Sequence, residues 1–139
     1  MPWRAVLAAV VLALVAAAPA RAEEPGIAIG RHVFGPVACG TPAMGRAVFA
    51  DPMTIAGSDP ATCRILLNEA YADELPADMR CTLVLHEYGH LAGHAHSSNP
   101  RSVMYPTYNG PDERCTRTFS ASSRARRARG TSETAKSSG

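Results

Sequence analysis

The sequence predicts an α/β (α+β) domain, a small sheet packed on one helix and stapled by disulfides. Three observations lead there. Residues 46–50 and 63–68 are short apolar runs closed by turn residues, which suits strands. Residues 77 to about 92 show no alternation and are too long for a strand, so they read as a helix. Cys39, Cys63, Cys81 and Cys115 form an even set within one stretch. Small exported domains commonly use such sets where the core alone is too small.

Taken in order, residues 1–22 read as a secretory signal peptide. Arg4 supplies the positive start, Ala5 to Ala18 the apolar run and Ala20-Arg21-Ala22 an A-x-A cleavage site. A membrane anchor is the rival reading, but the run falls short of the about 20 residues that cross a bilayer. The mature domain is expected over 23–119, secreted, with no stable membrane insertion once the signal is removed.

Residues 23–45 are rich in Gly and Pro, with a short strand expected at His32–Val37. A strand follows at Arg46–Ala50, ended by Asp51-Pro52. Asp51 and Asp59 offer calcium-type oxygen ligands, but no calcium-loop pattern supports that ion, and turn residues are the preferred reading. Asp59-Pro60 could cap a helix. The run Cys63–Asn68 is nevertheless short enough to be a strand, and an edge strand would let an extended peptide pair with it. Glu69–Pro76 is an acidic connection in which Asp73 or Asp78 can cap the next helix and Pro76 suits its first turn. That helix draws its apolar positions from Met79, Leu83, Val84 and Leu91. From 120 to 139 the chain offers almost nothing to bury, and a disordered basic tail is expected.

Charge divides along the same line. Residues 23–119 carry seven Arg against eleven Asp and Glu, net −4, and residues 120–139 are net +4. The cluster Arg124, Arg126, Arg127, Arg129 could meet an acidic polymer, lipid headgroups or nucleic acid. A solvated tail is the preferred reading, and no nucleic-acid partner is expected. No internal repeat is present. The cysteines contain no C-x-x-C pair, so disulfides are preferred over metal ligation, with three pairings open.

The most informative stretch is His86-Glu87-Tyr88-Gly89-His90-Leu91-Ala92-Gly93-His94-Ala95-His96. Residues four apart on a helix share a face, so His86 and His90 can aim ring nitrogens at one metal ion. Glu87, about 100° round the helix, stays close to the metal and can hold a bound water. Gly93 suits the left-handed turn that ends a helix and returns His96 as third ligand. His94 competes for that place if the helix continues, which Gly93 opposes. Three protein ligands leave a fourth position open, as in a catalytic rather than a structural zinc site.

The pattern H-E-x-x-H-x-x-G-x-x-H, with Ser102-Val103-Met104-Tyr105-Pro106 behind it, resembles the metzincin peptidase signature with its Met-turn. From His86 to Tyr108 the sequence closely resembles the active-site segment of the matrixins. The resemblance implies a minimal metzincin-like domain, a small twisted mixed sheet on the active-site helix. It implies His86, His90 and His96 as ligands of one catalytic Zn2+, Glu87 as general base and acid, and Met104 as the floor beneath the ligands. It also implies Pro106 and Tyr108 as a substrate-pocket wall. Tyr105 and Tyr108 could alternatively donate to an oxyanion. Pro36–Pro42 has the outline of that family's pro-segment thiol switch but lacks its Arg and Asp, so Cys39 is read as a disulfide partner. His32 and His94 are the only other histidines, too few for the second zinc usual in the family.

The function expected is therefore a secreted zinc-dependent endopeptidase, a monomer acting on extended peptide or protein. Zinc would lower the pKa of its bound water, and Glu87 would take the proton and return it to the leaving amine. Two alternatives remain. One is a zinc-binding or interaction module with little catalysis. The other is a hydrolase of cell-wall peptide amides.

Overall fold

The computed structural model describes residues 21–136. The signal-peptide expectation for 1–22 thus lies almost wholly outside the described residues. Helix α1 spans Pro25–Phe34. Strands β1 (Ala43–Ala47), β2 (Ala56–Asp59) and β3 (Arg64–Asn68) follow, then helices α2 (Ala77–Leu91) and α3 (Glu113–Lys136). The sheet has the order β1-β3-β2. β1 runs parallel to β3, with Met44 opposite Ile65, and β2 runs antiparallel to it, with Gly57 opposite Leu66. The architecture is the small mixed α/β type the sequence predicts. Among the described residues no helix is long and apolar enough to cross a membrane.

Helix α2 is the hub. Val84 and Tyr88 enter one core cluster with Ile27 of α1 and Ile65 and Leu67 of β3. Cys81 and Leu85, on the next face round, enter a second cluster with Cys115 of α3. The disulfides are Cys39–Cys63, which ties the approach to β1 to the start of β3, and Cys81–Cys115, which ties α2 to α3.

Several expectations are corrected. The strand expected at His32–Val37 is absent: α1 runs through Phe34, because Gly26 and Gly30 ahead of that stretch serve as a contact surface, and Val37 makes only an isolated bridge to Gly40. A Cβ on Gly26 would lie 2.5 Å from the Cys81 carbonyl oxygen, and one on Gly30 2.5 Å from Tyr88 Cγ. Two glycines one turn apart let α1 lie directly on α2, and Pro25 in the first turn supplies its start. The strand expected at Arg46–Ala50 begins three residues earlier and stops at Ala47, leaving Val48 83% exposed.

The run at 63–68 is a strand as preferred, but it is the central one. The edges are β1 and β2; the Ala-Gly-Ser-Asp sequence of β2 carries no strand propensity and is held by pairing. Asp73 does not cap α2; it pairs with Arg46 of β1. Asp78 lies within the first turn of α2, behind an N-cap at Pro76 that has no side-chain cap. Asp51 and Asp59 fold their carboxylates onto their own turns, accepting from Met53 N and Ala61 N. The tail expected to be disordered from 120 continues α3 to Lys136. Ala and Arg favour helix, and the Cys81–Cys115 bridge anchors its first turn.

Candidate active site

Helix geometry brings the first two histidines together, with His86 Nε2 and His90 Nε2 3.0 Å apart. The helix then stops. Gly93 adopts φ 90°, a left-handed conformation open to glycine, and His94 N–H reaches back to the Gly89 carbonyl at 2.9 Å. The chain turns, and His96 arrives with its Nε2 3.1 Å from that of His90. Ser97 N–H donates to the Met104 carbonyl at 2.9 Å, which holds the return of the loop beneath the histidines. Met104 is buried. Its sulfur presses against α2 at Gly89, where an added Cβ would meet that sulfur and displace the methionine.

The three imidazoles form a group that could hold a metal ion, and their chemistry fits zinc. His86 Nδ1 lies 2.7 Å from the Val103 carbonyl and His90 Nδ1 2.9 Å from the His94 carbonyl. A carbonyl only accepts, so each Nδ1 carries the proton and each Nε2 presents its lone pair. Such lone pairs repel at close range unless a cation lies between them. Zn–N bonds of about 2.05 Å in tetrahedral geometry set nitrogens about 3.3 Å apart, close to the spacing here. His94 does not join them. Its ring lies against Phe34, with centroids 4.8 Å apart, and it serves the site through its carbonyl.

Glu87 is 8% exposed and borders the same cleft. Burial pushes its carboxyl above the ordinary carboxylate range, while His90, the Ser58 hydroxyl and His96 pull the other way. Burial likewise holds His86 below the usual imidazole range, against the hydrogen bond to Val103.

The cleft is a cavity of about 1240 Å³. One wall is Met53 to Gly57, leading into edge strand β2. The floor is α2 with His86, Glu87 and His90. The other wall includes Tyr105, Pro106 and Tyr108, and the far end reaches Asp112 and Arg114. Pro106 and Tyr108 are thus among the residues that line the cleft. Cys39 is bridged to Cys63, so a thiol switch through it is ruled out. The sequence reading missed Ser58, the β2 wall, and the Val103 and His94 carbonyls. No local signal marks any of them, since each acts through backbone position or a hydroxyl brought in by the fold.

The site is of the three-histidine class, with one face open to a cleft and a carboxylate beside it. Residues 58–121 match the family model described as Matrixin, a family that uses zinc. That stretch, from β2 to the first turns of α3, is therefore a matrixin-like metallopeptidase segment. No curated protein and no solved structure matches the chain.

Proposed function

We propose that the protein is a zinc-dependent endopeptidase that works outside the cell. The observation that carries this reading is the convergence of three imidazole Nε2 atoms beside a buried carboxylate in an open cleft. His86, His90 and His96 would hold the ion, which when bound acidifies water and polarises a carbonyl. Glu87 takes a proton from the attacking water and delivers it to the departing amine. Its partial desolvation makes it a stronger base than a surface glutamate, and the Ser58 hydroxyl steadies the carboxylate. Met104 fixes the height of α2 under the ligands.

An extended substrate is the natural occupant. β2 uses one edge to pair with β3, and the wall leading into it lines the cleft. A peptide can add there as a further strand, with one side chain directed at the Pro106–Tyr108 wall. The two disulfides fit an oxidising compartment.

The test is Glu87→Gln in zinc-loaded, disulfide-bonded protein. Hydrolysis of quenched peptides should fall by about 10²–10⁴-fold, the usual worth of a general base, while zinc stays bound at one equivalent. Near-normal turnover in the variant would reject Glu87 as the base. A zinc-loaded wild type silent on both protein-derived and cell-wall peptides would favour a binding module instead.

A further inference from the structure

Away from the cleft, the most unusual surface is the second half of α3. Residues 120–129 read Ser-Ala-Ser-Ser-Arg-Ala-Arg-Arg-Ala-Arg. They hold four arginines, no acid, no lysine and no aromatic, and every side chain from 121 to 129 is exposed. The helix is not adrift. Cys115 is buried in its disulfide, and Phe119 packs on the Cys81–Leu85–Cys115 cluster. The arginines are therefore presented from a fixed base. Like charges this dense are costly unless screened or met by anions.

The arrangement says what kind of anion. At about 100° per residue, Arg117, Arg124 and Arg127 fall within about 80° of one another, and Arg126 and Arg129 lie about 180° away on the other flank. A flat membrane would meet only one flank. The only apolar side chains in the segment are alanines, so nothing would insert between lipid tails. A flexible chain can touch both flanks. Single-stranded nucleic acid is usually gripped by stacking its bases on aromatic side chains, and the segment has none. Arginine in place of lysine suits phosphate, whose oxygens match the guanidinium fork. Below the first flank lies a groove of about 540 Å³ bordered by Thr116, Phe119, Ser120, Ser123, Arg124 and Arg127, with the Asp78 carboxylate of α2 on its opposite side, so a polyanion is held by the arginines along the helix and not by the groove itself.

We propose that residues 120–129 of α3 are a docking element for a flexible, phosphate-bearing polyanion, bound by charge along both flanks of the helix. Arg129 stands about 18 Å along the axis from Arg117, at about 1.5 Å per residue, and Arg117 borders the catalytic cleft. A bound polymer would tether the protein with its cleft free. The proposal does not depend on the peptidase reading.

The test measures linear inorganic polyphosphate binding to zinc-loaded, disulfide-bonded protein by titration at several salt concentrations. Neutralising about four phosphates should give a log–log salt slope near −2.8, so affinity falls about 50-fold between 50 and 200 mM salt. The variant R124Q/R126Q/R127Q/R129Q, which keeps helix formers in place, should lose binding at least about tenfold while its circular dichroism, melting temperature and turnover of an uncharged peptide stay unchanged. R126Q/R129Q alone should also weaken binding, because both flanks are used. Equal binding by the fourfold variant overturns the proposal. So does indifference to R126Q/R129Q with tight adsorption to anionic vesicles, which would mean a membrane. Single-stranded DNA bound far more tightly than polyphosphate of equal charge would mean base recognition, and overturns it as well.

Discussion

The contact between α1 and α2 makes a prediction whose sign is unusual. In a helix interior, replacing glycine by alanine ordinarily stabilises by about 1 kcal/mol. At Gly30 the new Cβ would stand 2.5 Å from Tyr88 Cγ, 2.6 Å from Cδ1 and 2.9 Å from Cβ. Carbon atoms prefer about 3.5–4.0 Å, so the shortfall is about 1 Å. The ring has nowhere to go. It is 2% exposed, and its hydroxyl donates to the Gly35 carbonyl at 2.9 Å. At Gly26 the obstacle is the Cys81 carbonyl oxygen, backbone in a helix that a disulfide also restrains. Helix α1 must therefore back away and open the cluster that Ile27 fills. Overpacking of this kind costs about 1–3 kcal/mol, which outweighs the helix gain and leaves each variant about 1 kcal/mol less stable. For a domain of this size that is a fall of about 4–8 °C in Tm. Thermal and urea unfolding of Gly26→Ala and Gly30→Ala, with disulfides intact and zinc saturating, measure it. A Tm raised by either substitution would show that α1 is not seated on α2 as described.

Three further outcomes are expected. His94→Ala should keep zinc affinity within about tenfold, because only its backbone carbonyl serves the site. His96→Ala should lose more than the about 10–100-fold typical of a supporting residue, as competition with a chromophoric chelator would show; the reverse ranking would exchange their roles. Replacing Cys81 and Cys115 together by Ala should cost about 3–4 kcal/mol, from the entropy of a loop with a sequence separation of 34, read as a lower urea midpoint; an unchanged midpoint would refute the staple. Asp112 accepts from Arg114 N–H at the head of α3 and pairs with the Arg114 guanidinium, which holds its carboxyl below the ordinary range. Its folded pKa is depressed, so its contribution is present above the unfolded carboxylate pKa of about 3.9 and fades as pH falls through the folded value. Asp112→Asn keeps a cap but loses the ion pair. It should be about 0.5–1 kcal/mol less stable at pH 7, and the gap should narrow as pH falls below the unfolded carboxylate value and close once the depressed folded value is passed; a gap that does not narrow on acidification would assign the effect elsewhere.

The convergence of the three histidines was legible in the sequence because its geometry is local. His86 and His90 need only a helix, and Gly93 is a turn written in one residue. The run 63–68 was legible as a strand through its branched and apolar residues. What escaped was set by distant partners. Gly26 and Gly30 look like loop residues until α2 stands beside them. β2 exists because β3 has an edge to satisfy, and none of Ala56, Gly57, Ser58 or Asp59 announces it. The strand at 46–50 shifted because the branched and aromatic content of Val48 and Phe49 does not outweigh the pairing of Ala43–Ala47 with β3. The pairing Cys39–Cys63 and Cys81–Cys115 likewise waits on the fold.

So small a scaffold can hold such a site because α2 uses its whole circumference. Val84 and Tyr88 meet α1 and the sheet. Cys81 and Leu85 meet α3. Gly89 rests on Met104. Only the remaining sector, with Thr82, Leu83, His86, Glu87 and His90, borders the cleft. Each covering element is then reduced to what its sector requires: ten residues of α1 with two glycines, one disulfide to α3, one methionine from below. The helix is amphipathic in neither ordinary sense, which is why its apolar pattern is weak. It also means that the cleft's geometry is coupled to all three covers. A retreat of α1 or a loss of the Cys81–Cys115 bridge should tilt α2 and loosen the 3.0 Å and 3.1 Å spacings of the imidazoles, so that stability and zinc affinity fall together.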